Sequence, residues 1–213
     1  MSIQFLLDRK NNLNKIVVSI LFRTGGVFLN RDASRILDEI LSYRCPRYEE
    51  LPDIPLYSEQ VIDLIHQYAA PFLIFDGDAR LTPTMINNYV KQHLIPPPER
   101  KRYGREHIAR LYCIFLLKYA FTVSEVKNLL EIQASTYPLP VAYDYFCLEL
   151  EKALQSTFST RDFSAPSSAN QITLESELVR STALALANKL FAAKSLYLYT
   201  LIKEEQNDSS KET

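Results

Sequence analysis

The stretch TPTMINNYVKQHLIPPPERKRYGREHIARL, residues 82–111, decides the fold expected of this chain. Thr82 is a favoured helix N-cap and Pro83 is favoured at the first helical position, so a helix is predicted to begin here. The helical periodicity buries one apolar face and leaves on the other face the polar side chains of Thr84, Asn87, Asn88 and Lys91. A short helix with such a polar face fits the groove of a nucleic acid.

Three adjacent prolines at 96–98 follow that helix. Because proline fixes φ and has no N–H to donate, they are predicted to stop the helix and to hold the next residues at one angle. Those next residues, Arg100, Lys101 and Arg102, form a basic strip. A further helix ending near Lys118 is apolar almost all round from 111 to 117, which is typical of a central, buried helix.

The composition is that of an ordinary globular protein, with 47% hydrophobic and 23% charged residues among 213. Four glycines argue against a loop-rich sandwich or a glycine-cradled nucleotide site. Helical periodicity recurs along most of the chain, so the fold is expected to be all-α. The net charge of −1 excludes a globally basic protein, yet residues 91–110 carry six basic and two acidic side chains, a local net of +4. Charge concentrated in this way is typical of phosphate contacts.

Beyond this region, residues 32–43 and 58–70 are predicted to be amphipathic helices, and a capping box at Thr122 opens another. QASTYPLP is interpreted as a linker to a C-terminal helical hairpin, whose second helix, 173–203, is apolar over most of its circumference. That helix is expected to pack on both sides, in the hairpin or across a dimer interface. The domains predicted are 29–131, the hairpin at 132–205 and a disordered tail at 206–213.

Residues 1–28 fit poorly with the rest, because a β-branched run has no partner strand nearby. Residues 24–27 can be back-translated to contain AGGAGGTG, a bacterial ribosome-binding consensus, and TTG at Leu29 is a usable start codon. One hypothesis is therefore that 1–28 is translated upstream sequence; the other is a genuine flexible or strand-like arm. The codons of the gene decide between them.

Several ordered motifs resemble those of MerR-type winged-helix regulators, in which a recognition helix ending in Gly-Leu-Leu-x-Pro precedes a basic wing and a buried helix. The corresponding stretches here are Asn88-Tyr89, Leu94-Ile95-Pro96-Pro97, Lys101-Arg102-Tyr103, His107-Ile108-Ala109-Arg110-Leu111 and FTVSEVKNLL from Phe121. More closely, MINNYVKQHLIPPPERKRYGREHIA resembles a bacterial family called domain of unknown function 1836, from about residue 52 to the 150s. The wing here is shorter than in MerR-type proteins. His93 stands where glycine is usual, and histidine tolerates left-handed backbone.

The resemblance implies a MerR-like winged helix-turn-helix core and a sequence-specific transcription regulator that binds double-stranded DNA. With a hairpin that dimerises, the operator should be an inverted repeat. Asn87 and Asn88 are suited to adenine edges, and the wing to the DNA backbone or a minor groove. Tyr103 either packs under the wing or touches DNA. The residues expected at the DNA are Thr84, Asn87, Asn88, Lys91, Arg100, Lys101, Arg102, Tyr103 and Arg105.

Two other functions stay open. A protein-interaction adaptor that has lost DNA binding would pair its basic residues with Glu99, Glu106 or the acidic pair at 49–50. A ligand-sensing regulator would have a pocket lined by aromatic residues of the hairpin: Tyr143, Tyr145, Phe146, Phe191, Tyr197 or Tyr199. Any small-molecule effector is unknown.

No catalytic constellation stands out, so neither an enzyme nor a cofactor is expected. Asp76 and Asp78 flank a glycine without further ligands, and the three histidines lie on different elements, so no metal site is expected either. No apolar run is long enough to span a bilayer, and the three cysteines form no C-x-x-C pair. A cytoplasmic location with reduced thiols is therefore expected.

Overall fold

A computed structural model describes residues 29–73, 80–160, 162–163, 169 and 171–209. The hypothesis on residues 1–28 and the interpretation of Asp76 and Asp78 lie outside the described residues and stay predictions. The described helices are α1 (Leu29–Leu41), α2 (Ser58–Tyr68), α3 (Pro83–Lys91), α4 (Arg105–Leu117), α5 (Val123–Thr136), α6 (Leu139–Gln155) and α7 (Leu174–Ser209). Single turns of 3₁₀-helix lie at Tyr48–Glu50 and Ala70–Phe72, and a π-helical turn at Ser156–Thr160 extends α6.

The all-α expectation is confirmed for the described residues, which contain no extended strands. Two isolated antiparallel bridges are present, one between Leu56 and Tyr103 and one between Glu99 and Arg102. Both bridges involve the segment between α3 and α4, so the little extended structure described is concentrated around the predicted wing.

Helix α4 lies at the centre of the core, as its apolar circumference predicts. Ile108, Leu111, Tyr112, Ile114 and Leu116 are each fully buried. The helix packs against α2 on one side and against α6 and α7 on others. A helix that is apolar all round is stable only when neighbours cover every face, and here they do.

The C-terminal hairpin packs against the rest of the molecule. α6 and α7 pack along each other, and α7 also contacts α1, α4 and α5. Buried residues from Ile36 to Leu198 form one hydrophobic core. The predicted boundary between 131 and 132 therefore falls inside a helix that shares this core.

Two local predictions differ from the structure. The stretch QASTYPLP is mostly helical, because α5 runs on to Thr136 and α6 begins at Leu139. α7 continues to Ser209, into the tail expected to be disordered from 206. Both differences have one cause: extending an existing helix needs no new nucleation, so residues of moderate helix propensity continue it.

A partly buried ion pair joins the loop after α1 to α6. Arg47 donates through Nη1 and Nη2 to the two carboxylate oxygens of Glu151, at 2.8 and 2.7 Å. The same carboxylate accepts the Cys45 backbone N–H at 2.8 Å. Hydrogen bonding to Glu151 raises the pKa of the Arg47 guanidinium. Glu151 thus accepts three hydrogen bonds from the loop after α1, and this carboxylate joins that loop to α6, which lies far along the sequence.

Candidate nucleic-acid interface

Helix α3 exposes the polar face predicted for it. Its first turn is capped by Thr82, whose Oγ1 accepts the Met85 N–H at 3.2 Å. Ile86 and Tyr89 are buried against the core. The side chains on the opposite face are all exposed to solvent: Thr84, Asn87, Asn88 and Lys91.

The end of α3 is set by His93 and not by the prolines. His93 has a φ of 60°, the left-handed conformation. Its N–H donates to the Val90 carbonyl at 3.1 Å, and the Leu94 N–H donates back to the Tyr89 carbonyl at 2.9 Å. This pair of bonds is a complete Schellman motif, with histidine in the position that glycine usually occupies. The helix has ended before residue 96, so the prolines shape only the segment that follows.

That segment, residues 96–103, is called the wing below. At its tip the Arg102 N–H donates to the Glu99 carbonyl at 2.8 Å, and Arg100 and Lys101 have φ values of 49° and 62°. Two left-handed residues inside a four-residue turn form a type I′ turn, where Asn-Gly is preferred. A side chain in this conformation costs roughly 1–2 kcal/mol, so the basic tip is a strained one.

His107, on the first turn of α4, closes the base of the wing. Its Nδ1 accepts the Gly104 N–H at 3.1 Å, which places the ring proton on Nε2. Nε2 lies 3.4 Å from the Pro97 carbonyl and donates to it. The Tyr103 ring stacks edge-on against the imidazole at 5.5 Å between centroids. This role of His107 was missed at the sequence level, although its place three residues after Gly104 is the N3 position of a cap.

The structure divides the nine predicted residues into two groups. Seven are exposed: the four on α3, and Arg100, Lys101 and Arg102 on the wing. Tyr103 is buried, 4% exposed, and its N–H and carbonyl pair with Leu56 at 2.8 and 2.9 Å. Arg105 is ion-paired with Glu49 at 2.6 Å and with Asp53 at 3.5 Å, and its Nε donates to the Leu51 carbonyl.

The exposed cations differ in their surroundings. Lys91, Arg100 and Lys101 form no ion pair with any residue that the structure describes. Arg102 stacks over the Tyr57 ring at 5.0 Å and donates to its hydroxyl at 3.1 Å. Tyr57 itself is half exposed, so the guanidinium is oriented without being buried.

His66 positions the start of α3 from α2. Its Nε2 accepts the Leu81 N–H at 3.0 Å, one residue before the N-cap. Burial, reinforced by the nearby positive charge of Arg80, lowers the pKa of the imidazole. The neutral ring is the form that can accept this bond, so protonation of His66 at Nε2 would break it.

Among the described residues, no cluster of three or more His, Cys, Asp or Glu side chains is arranged to hold a metal ion. The described helices also include none that is long and apolar enough to cross a membrane.

Residues 46–146 match the model of a family described as "Domain of unknown function (DUF1836)". The matched range contains α2, α3, the wing, α4, α5 and the first half of α6. A search of curated proteins and a search of solved structures each found no match.

Proposed function

We propose that the DUF1836 domain at residues 46–146 is a MerR-like winged-helix module that binds double-stranded DNA sequence-specifically, and that the protein regulates transcription in the cytoplasm. One observation carries the proposal. An exposed polar helix face on α3 is followed within nine residues by a tight turn whose two strained central residues are basic, exposed and outside any described ion pair. Strain persists in proteins mainly where function requires it.

Each exposed group has a role that suits its chemistry. Asn87 and Asn88 have the amide geometry for bidentate contacts to adenine edges in the major groove. Thr84 and Lys91, on the same face, are suited to the flanking phosphates. Arg100 and Lys101 at the wing tip meet the backbone or an adjacent minor groove. Tyr103 and Arg105 serve the fold in this proposal: one closes the wing against Leu56, and the other fixes the loop at 49–53.

We further propose that the protein acts as a homodimer on an inverted repeat. Leu196 and Tyr199 on α7 are 64% and 54% exposed, and Leu148 on α6 is 40% exposed. Exposed apolar side chains on a helical hairpin are suited to association with a second copy, and a twofold dimer reads a palindromic site.

The adaptor alternative has support of its own. In an adaptor, the basic residues are expected to be neutralised within the chain. Arg105 is paired in this way with Glu49, and Arg110 is paired with Glu106 at 3.0 Å. The wing tip and Lys91 do not follow that pattern. The balance favours DNA, because unpaired cations concentrate where the wing is most exposed.

The test uses fragments selected from genomic DNA by the full-length protein. Lys101→Ala with Arg102→Ala should weaken binding to every fragment and flatten the dependence of log K on log salt concentration by about 1 for each lost phosphate contact. Asn88→Ala should instead relax sequence preference, with about 1–3 kcal/mol less discrimination at one base pair.

The matched control is Lys152→Ala with Lys189→Ala, which removes the same charge from exposed positions on α6 and α7. It should retain the wild-type salt slope. If the wild-type protein binds no fragment in a salt-dependent way, or if both double variants lose the same affinity, the DNA proposal is wrong and the adaptor alternative is preferred.

A further inference from the structure

An apolar cavity of about 390 Å³ lies between α4, α5, α6 and α7, away from the exposed face of α3. Small-molecule sites occupy about 300–1,000 Å³, so the cavity has the size of such a site. Its walls include Leu117, Leu129, Leu130, Phe146, Val179 and Thr182. Well-packed cores leave few voids larger than a water molecule, so a cavity of this size calls for an occupant.

Tyr143 lines the cavity without presenting its hydroxyl to it. The residue is 1% exposed, and its hydroxyl oxygen is buried away from the space that a water-sized molecule can reach. The polar neighbours of that hydroxyl are the thiols of Cys113 and Cys147, which are weak hydrogen-bonding groups. Tyr143 therefore adds apolar ring surface to the wall.

The lining of the cavity is mostly apolar. Ile132, Tyr137 and Val141 line the cavity and are 41%, 48% and 57% exposed. Arg110 also lines the cavity, but its charge is balanced by Glu106. Glu175 and several neutral polar side chains contribute the rest of the lining. A mostly apolar lining favours a neutral ligand over a charged one.

We propose that this cavity binds a neutral, mainly apolar small molecule. Helix α4 connects the cavity to the wing, because His107 in its first turn donates to the Pro97 carbonyl while Cys113 and Leu117 line the cavity. Occupancy would thereby change DNA affinity. This coupling rests on the proposed DNA binding. The proposal that the cavity binds a small molecule does not rest on it.

N-phenyl-1-naphthylamine is a suitable probe, because it is neutral, mainly apolar and fluorescent. Titrated into the full chain, it should bind saturably at one site per chain. Ala142→Phe places a ring in the cavity wall and should weaken binding at least tenfold. Ala134→Phe is the matched control, exposed on α5 and outside the cavity, and should bind as wild type.

Circular dichroism establishes that each variant is folded, and Val179→Phe replaces Ala142→Phe if the latter unfolds. Absence of saturable binding in the wild type, or equal binding by the cavity and control variants, overturns the site. A second titration measures DNA affinity with and without saturating probe, and a change of at least threefold is expected. Unchanged DNA affinity overturns the coupling alone, because the first titration contains no DNA.

Discussion

At the scale of single residues, the wing tip is the most unusual feature of the chain. Arg100 and Lys101 occupy left-handed positions that glycine or asparagine would adopt with less strain. Neither side chain is needed to close the turn, because the closing bond joins backbone atoms of Glu99 and Arg102. Closure of the turn therefore gives no reason for basic residues at these two positions, whereas the proposed contact with DNA does.

One substitution at the wing tip should have opposite effects on stability and on DNA binding. Lys101→Gly should leave the free energy of unfolding unchanged or raise it by up to about 1 kcal/mol, since relief of strain offsets the greater freedom of the unfolded chain. DNA affinity should fall. Lys127→Gly, in the interior of α5, is the control and should lose about 0.5–1 kcal/mol. Urea unfolding measures both, and a loss of stability in Lys101→Gly comparable to the control would contradict the strain argument.

At the scale of elements, one hydrogen bond joins α2 to the residue that precedes the N-cap of α3. His66 on α2 accepts the Leu81 N–H only while its Nε2 is unprotonated. Because burial lowers the pKa of His66 in the folded state, the unfolded chain takes up the proton first as pH falls. The stabilisation that this hydrogen bond provides is complete above the pKa of His66 in the unfolded chain, about 6.5. It is lost as the pH falls through the lower pKa of His66 in the folded state.

Wild-type stability should accordingly decline below pH 6.5 more steeply than that of His66→Gln. Glutamine can still accept the Leu81 N–H through its side-chain oxygen but does not titrate. Denaturant midpoints measured between pH 7.5 and 5 test this expectation. Parallel pH profiles for the two proteins would show that protonation of His66 does not contribute to the pH dependence of stability.

At the scale of the whole molecule, the hairpin shares one core with the region that matches the family model, residues 46–146. The family match ends at 146, inside α6, yet Leu150 and Leu154 further along that helix are buried and Glu151 binds Arg47. α7 covers α6 on one side and exposes Leu196 and Tyr199 on another. The hairpin therefore has two faces, one that completes the core and one that exposes apolar side chains.

Leu196→Glu with Tyr199→Glu should convert a dimer into a monomer, because burying unpaired charge in an apolar interface is strongly unfavourable. Analytical ultracentrifugation at micromolar concentration measures the mass. Lys189→Glu, exposed on the same helix, should leave the mass unchanged. A wild-type protein that is already monomeric at this concentration would contradict the dimer proposal.

The sequence alone determined the features that depend on neighbours along the chain. The Thr82 cap, the polar face of α3, the left-handed His93 and the buried α4 all follow from local hydrogen bonding and helical periodicity, which act over a few residues. The residues at which α5 and α7 end could not be predicted from the sequence, because helix extension depends only weakly on the propensity of each residue.

Only the tertiary structure decided which basic residues remain exposed. Arg102 and Arg105 look alike in the sequence. Folding places Glu49 and Asp53 beside Arg105 but places Tyr57 beside Arg102. The burial of Tyr103, the clamp by His107 and the cavity beside Tyr143 likewise arise where distant segments meet. Such contacts depend on the packing of whole helices, and the spacing of residues along one segment does not determine them.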